Sequence, residues 1–390
     1  MELDAFAWLL TDDGQRLLAR ATELRGLDPL KAQSTLRKEV PGDTAASYVA
    51  VAMTQAELRA KAAEKFGALA ERMYFTPDGL EQATRFAVAE HRAARLAAYG
   101  TRTLIDLGCG VGGDLIAASR AGLIVAGVDL DPERVAVAQA NLAALGLAGA
   151  VQVADATEID HTAFEVAFAD PARRGARGRV FDAEGWTPSW SFVETLLTRD
   201  ACVKVAPGIP HGMVPAGVEA EWVSHHGDVK EAALWAGGLA TVRRRATVIG
   251  NGGLATLTDE DDAPASVRSV GDFLYEPDGA VIRAGLVTAV ADGVGGGLVD
   301  EHIAYVTSDD AFRTPFATTY QVLEELPYRE RALRAALRER GIGRLTIKKR
   351  GVSVVPEQLR RALSLEGPNE ATIVLTRVSG EGTCLLVRRL

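Results

Sequence analysis

Apolar residues follow two rhythms along this chain. Over residues 1–100 they recur at helical spacing among Ala, Leu, Arg and Glu, with breaks at Pro29, Pro41 and Pro77. Residues 55–66 (QAELRAKAAEKF) read as an amphipathic helix. Thr76 before Pro77 marks a helix start, with the hydroxyl as cap and the proline in the first helical position. Phe66, Tyr74 and Phe75 are expected in the core, where aromatic side chains supply packing. From residue 103 the rhythm changes to short apolar runs separated by helical stretches. The runs 104–107, 123–128, 151–153, 164–169 and 201–206 are strand-length, and helices are expected over 115–120 and from Pro132 onward. Strands buried on both faces and alternating with helices build a parallel sheet, with ligands at its carboxyl ends. Two further strands are expected at 221–224 and 245–249, with residues 228–235 connecting them.

A Gly-, Asp- and Pro-containing stretch, 251–268, reads as a linker. Beyond it, residues 272–285 suggest a strand, a turn, then a helix or strand, and residues 305–320 contain short strands. A helix from Tyr328, a strand over 345–350, a helix over 356–363 and strands over 370–378 and 383–388 complete the chain. The last two runs alternate poorly, which predicts central, buried strands.

The first strand runs into DLGCGVGGD. Gly108 and Gly110 let the main chain approach a ligand where a Cβ would collide. Asp106 lies at the strand end, before the glycines, which separates DxGxGxG (Asp106, Gly108, Gly110, Gly112) from the dinucleotide pattern GxGxxG. Asp129, at the tip of the second strand, is placed to take two hydroxyls of a ribose, and Asp155, after the third, to meet an adenine amino group. The order DLGCGVGGD, VDLDP, VADA, FADPARR resembles class I S-adenosylmethionine-dependent methyltransferases. The resemblance implies a Rossmann-like α/β domain over 101–250, whose seven-stranded sheet ends in an antiparallel strand. It implies S-adenosylmethionine as cofactor, with Asp106, Gly108, Gly110 and Gly112 at the methionine end. Asp129 and Leu130 would then lie at the ribose, and Asp155 and Ala156 at the adenine.

The same resemblance makes Asp170-Pro171-Ala172-Arg173 the catalytic turn. Enzymes that methylate amino groups often carry (D/N)PP(Y/F/W) here. Asp170 and Pro171 match; the second proline and the aromatic do not. Arg173 and Arg174 are suited to a phosphate or a base edge, and Lys204, toward the end of the fifth strand, to the substrate mouth. The turn is also similar to the DPPRxG of uridine-C5 methyltransferases. Those need a nucleophilic cysteine just past strand five, whereas Cys202 begins that strand and reads as apolar filler. His225, His226, Asp228 and Glu231 read as a polar rim. Adjacent histidines on a strand point opposite ways and no ligand set has typical spacing, so no metal is expected.

Charge changes the picture. The whole chain carries −9, yet residues 327–390 hold 14 basic and 6 acidic residues, a net of +8. A basic module on an acidic body is a polyanion-binding signal, with Lys348, Lys349 and Arg350 as candidate contacts. The arrangement, through FLYEPDGAVIRAG and GIGRLTIKKRGV, resembles bacterial methyltransferases with a C-terminal THUMP-like module. That implies a helical N-terminal domain (1–100), the class I domain, a small ferredoxin-like α+β module (268–325), a THUMP-like basic module (326–390) and an RNA substrate. The expected activity is methylation of a base in structured tRNA or rRNA. The alternatives are a small-molecule or protein methyltransferase, or an inactive fold that binds RNA. An acidic N-terminus without a basic leader, no membrane-length apolar run, and three widely spaced cysteines point to a reducing cytoplasm, with no membrane partner.

Overall fold

Helix signals in the first hundred residues are answered locally. A computed structural model of the chain describes residues 2–40, 42–173 and 186–390. Its first helices are α1 (Leu3–Leu9), α2 (Asp12–Glu23), α3 (Pro29–Arg37), α4 (Ala45–Phe66), α5 (Pro77–Gln82) and α6 (Phe86–Tyr99). Pro29 and Pro77 open α3 and α5 at the first turn, where a missing N–H costs nothing. Thr76 caps α5 through Gly79 N at 3.0 Å. Phe66, Tyr74 and Phe75 are buried in a core shared with Leu104, Leu115 and Val125, so the helices and the following domain have no separate interiors.

The Rossmann-like part contains β1 (Thr103–Leu107), α7 (Gly113–Arg120), β2 (Ile124–Asp129), α8 (Pro132–Leu145), β3 (Ala150–Val153), β4 (Val166–Ala169), α9 (Trp190–Leu196) and β5 (Ala201–Val205). These strands are parallel, in the order β5-β4-β1-β2-β3. Three residues past the end of β4, Ala172–Arg173 form a short antiparallel pair with Trp186–Thr187.

The chain divides into two compact units, the first comprising Met1–Val205, Ile209–Val218 and Ala233–Thr241. The second comprises Ala206–Gly208, Glu219–Ala232 and Val242–Leu390. It contains β6 (Glu219–His225), β8 (Arg244–Gly250) and β9 (Gly253–Thr258), while β7 (Asp228–Ala236) is divided between the units. Residues 228–235, expected as a connection, are therefore a strand, buried from Glu231 to Ala236. The strand expected to close the sheet, β8, instead pairs parallel with β6, and its antiparallel partner is β9, within the expected linker.

The rest of the second unit comprises β10 (Phe273–Pro277), α10 (Gly279–Ala284), α11 (Val287–Gly293), β11 (Gly297–Asp300), β12 (Ile303–Ser308), β13 (Ala317–Leu326), α12 (Glu330–Glu339), β14 (Ile342–Lys349), α13 (Pro356–Leu363), β15 (Asn369–Val378) and β16 (Glu381–Arg389). One sheet takes all seven strands, in the order β11-β12-β10-β13-β16-β15-β14. The boundary expected at 325/326 falls at the end of β13, which pairs with β10 on one side and β16 on the other. β15 and β16 are central, as their patterning predicts. Alternation sends Leu345, Ile347, Ile373 and Leu375 to a core with Leu333, Leu337 and Leu363 of α12 and α13. Val374, Leu385, Tyr305 and Tyr320 fill a second core.

Candidate active site

The turn after β1 takes the shape its glycines permit. Gly108, Gly110 and Gly112 have φ of +121°, +55° and +84°, values that side-chain-bearing residues rarely adopt. At Gly112 a Cβ would also press on Ala138 at 3.2 Å, so close packing of the turn on α8 requires glycine there. Val128 O accepts from Gly108 N at 3.0 Å and from Cys109 N at 2.9 Å, which fixes the turn to the end of β2. Asp129 completes the joint. Its Oδ2 accepts from Gly110 N and its Oδ1 from Asp131 N, both at 2.9 Å.

These elements border a cavity of about 610 Å³ at the carboxyl ends of the strands. Asp106, Gly108, Gly110, Asp129, Leu130, Asp155, Ala156 and Asp170 all line it. Asp106 is buried, and its Oδ1 has no hydrogen-bond partner among the described residues. Burial first, then the charges of Asp114 and Asp170, holds its pKa well above the usual carboxylate range. The nearby cation is Arg92, which pairs with Asp114 and lies 4.5 Å from the centre of the Phe168 ring. Asp155 uses Oδ1 to accept from Thr157 N at 2.8 Å and Thr157 Oγ1 at 2.7 Å, bonds that lower its pKa.

Asp170 and Thr84, both in the cavity lining, share one cation: Lys204 Nζ donates to Asp170 Oδ2 at 2.6 Å and to Thr84 Oγ1 at 3.2 Å. Two residues expected to serve the reaction, Asp170 and Lys204, are thus one ion pair. Pro171 is buried beside it. Arg173 contributes main chain to the pairing with Trp186, and Arg174 lies outside the described residues. Trp186, packed edge-on against Trp190 at 5.4 Å between ring centres, lines the cavity with Thr187 and Pro188. Gly79, Gln82, Ala83 and Thr84 supply the facing wall from the N-terminal segment.

Comparison with known proteins decides the family. A protein of Mycobacterium tuberculosis, described as an uncharacterized S-adenosylmethionine-dependent methyltransferase, is 37% identical over 332 residues, covering 82% of this chain and 90% of its own. The chain is an S-adenosylmethionine-dependent methyltransferase. The methyltransferase-domain family matches residues 104–171, the THUMP domain-like family residues 317–389, and a domain family of unknown function residues 2–62. A crystal structure from Porphyromonas gingivalis W83, provisionally assigned as a methyltransferase, aligns with a TM-score of 0.75 at 21% identity. It covers 97% of this chain and 99% of its own, which supports the fold.

The cofactor of this methyltransferase is S-adenosylmethionine, and the cavity suits it. A buried carboxylate oxygen without a partner, with further carboxylates nearby, complements a ligand bearing ammonium and sulfonium charge. The glycine turn leaves room for close main-chain approach. Cys109, Cys202 and Cys384 are buried outside any disulfide, and burial pushes the Cys109 thiol up and the Cys384 thiol up to about 12. A buried thiol with a raised pKa is a poor nucleophile.

The expected basic contacts of the second unit are not gathered on one surface. Lys348 pairs with Glu276 and lies 5.5 Å from the centre of the Tyr320 ring. Arg350 is 3.9 Å from Glu276 and 5.3 Å from the Tyr305 ring centre. Lys349 is exposed on the other face of β14. Among the described residues no group of His, Cys, Asp and Glu is arranged to hold a metal, and no helix is long and apolar enough to cross a membrane.

Sequence reasoning missed Arg92, Asp114, Thr84 and Trp186. An acid directly after the glycines, GGD, was a usable signal for Asp114. Nothing in the spacing of the other three pointed to the cavity.

Proposed function

We propose that this methyltransferase methylates a base in structured tRNA or rRNA in the cytoplasm. The observation that carries the RNA part is the overlap between the THUMP domain-like match, residues 317–389, and the +8 segment of the chain. Bound S-adenosylmethionine supplies an activated methyl group on a sulfonium, open to in-line displacement.

In this reading Asp106 receives the methionyl ammonium, and Gly108, Gly110 and Gly112 keep the main chain close to that end. Asp129 accepts the ribose hydroxyls beside Leu130. Asp155, with one oxygen engaged by Thr157, accepts from the adenine amino group beside Ala156. Asp170 and the Pro171 carbonyl accept hydrogen bonds from the acceptor amine, which aims its nitrogen at the methyl group. The family motif carries an aromatic in this turn; here Trp186, in the same cavity, offers a flat face for stacking the base. Arg173, Arg174 and Lys204 serve the substrate's phosphates or base edges, and Lys348, Lys349 and Arg350 a more distant part of the RNA.

The pairing of Lys348 with Glu276 favours a second reading, a small-molecule or protein substrate, because it reduces the free positive charge of the basic segment. The deciding experiment incubates the protein and labelled S-adenosylmethionine with RNA from cells lacking the gene. Mass spectrometry then compares modified nucleosides in cells with and without it. One methylated nucleoside missing from the deleted strain and restored in vitro is the expected result. Label appearing only in the protein or small-molecule fraction would replace RNA with the second reading.

A further inference from the structure

We propose that the N-terminal helical segment is a working part of the methyl-transfer site, with Lys65, acting through Thr84 and Lys204, holding the Asp170 carboxylate where the acceptor binds. This rests on the reading above that Asp170 meets the acceptor.

The connections are continuous. Lys65, at the C-terminal end of α4, donates from Nζ to Leu80 O at 2.8 Å, Glu81 O at 2.6 Å and Ala83 O at 2.8 Å. Carbonyls at the end of a helix lack intrahelical partners, and one ammonium here satisfies three of them at the end of α5. The next residue, Thr84, is buried and accepts from Lys204 Nζ, which holds Asp170. The flanks of the segment are fixed as well. Arg85 pairs with Glu64 at 2.6 Å, Gln55 exchanges two hydrogen bonds with Phe75, and Asn141 of α8 exchanges two with Tyr74.

Lys65 therefore does more than solvate a helix end. Its three bonds fix the main chain that carries Gln82, Ala83 and Thr84 into the cavity wall. The Thr84 hydroxyl gives the Lys204 ammonium a second acceptor, so that ammonium is held from two directions. Asp170 is held by the same ammonium. Lys65 and Thr84 are positioning residues: neither touches the acceptor, and loss of either lets Lys204 and Asp170 drift from the productive geometry. Small misplacements of this kind are costly in rate and nearly silent in cofactor affinity.

The test uses the full chain and three variants, Thr84→Val, Thr84→Ser and Lys65→Met. Methyl transfer from labelled S-adenosylmethionine to RNA from cells lacking the gene is measured together with calorimetric cofactor affinity. Thr84→Val and Lys65→Met should each lower kcat about tenfold while cofactor affinity stays within about twofold, and Thr84→Ser should restore kcat. In a Lys204→Met background, Thr84→Val should cost nothing further, because both changes break one connection. Two measurements need no acceptor. With S-adenosylhomocysteine bound, Lys65→Met should speed amide exchange over residues 79–86, and Thr84→Val should move the ammonium resonance of isotope-labelled Lys204. If the wild type transfers no methyl to RNA, the RNA reading falls and these two measurements decide the proposal. Unchanged exchange and an unchanged resonance overturn it, as does a kcat loss that adds in full to that of Lys204→Met.

Discussion

Asp129→Ala should damage the protein in two ways that different assays separate. Both carboxylate oxygens already accept main-chain hydrogen bonds, from Gly110 N and Asp131 N at 2.9 Å. Removing the carboxylate strands two N–H groups at the joint between the glycine turn and β2. A hydrogen bond to a charged acceptor is worth roughly 1.5–3 kcal/mol. Water at the cavity edge recovers part of that, so about 2–3 kcal/mol of apo stability should be lost, a fall of a few degrees in Tm. The cofactor loses two ribose contacts of similar individual worth, and each 1.4 kcal/mol is a factor of ten, so Kd should rise about a hundredfold or more. Asp129→Asn keeps an acceptor without the charge and should fall between wild type and alanine in both measurements. Scanning calorimetry without cofactor reads the first effect, and calorimetric titration with S-adenosylmethionine the second. Equal affinity in Asp129→Ala would remove Asp129 from the cofactor site. A lowered Tm with intact affinity would leave it only the task of holding the turn.

Asp170→Ala should abolish methyl transfer while cofactor affinity changes no more than a few-fold; normal turnover would make the Asp170–Arg173 turn structural. Asp106 carries a raised pKa, so its contribution to apo stability is fully present below the usual carboxylate range and is lost as pH rises through the raised value. Asp106→Asn should therefore flatten the decline of apo Tm from acid to neutral pH and weaken cofactor binding; an unchanged Tm–pH profile would refute the burial argument. Lys349→Ala should lower the salt slope of RNA binding by about 0.7–0.9 if it meets one phosphate, read by titrating labelled RNA at several salt concentrations. Lys348→Ala should instead cost stability of the second unit, because Glu276 loses its ammonium partner, and an unchanged Tm would contradict that assignment. Trp186→Ala should raise KM for the RNA without altering cofactor affinity, whereas Trp186→Phe should keep most of the stacking; equal KM in all three would remove Trp186 from the acceptor site.

The glycine-turn wall of the cavity was legible because its signals are local. A buried strand, glycines that take positive φ, and an acid at each of three successive strand ends occur in sequence order, and the three acids line one cavity with Gly108 and Gly110. Helix boundaries were legible where chemistry marks them, as at Thr76–Pro77 and Pro356. Asp228–Ala236 was misread because EAALWA is buried throughout and carries no alternation, so a short apolar run beside two strands looked like a connection. The acceptor side was illegible for another reason. Lys204 reaches Thr84 across 120 residues, and Lys348 reaches Glu276 across 72. Only packing creates such pairs, and no periodicity encodes them. Lys348, Lys349 and Arg350 differ in this respect, because strand alternation, readable in the sequence, already turns the middle residue away from the other two.

β13 has a practical consequence for anyone dissecting this enzyme. Because this strand bonds to β10 and β16 along its two sides, no cut near residue 326 releases a self-sufficient fragment. A polypeptide of residues 326–390 would expose the bare flank of β16, and the remainder would expose that of β13. Unpaired flanks of this kind invite strand addition from other molecules. An insoluble or sticky excised tail would say nothing about RNA, and a weakly binding one would measure the fragment's misassembly. Removal of the tail by protease is expected to proceed through global unfolding of the second unit, at a rate tied to its stability.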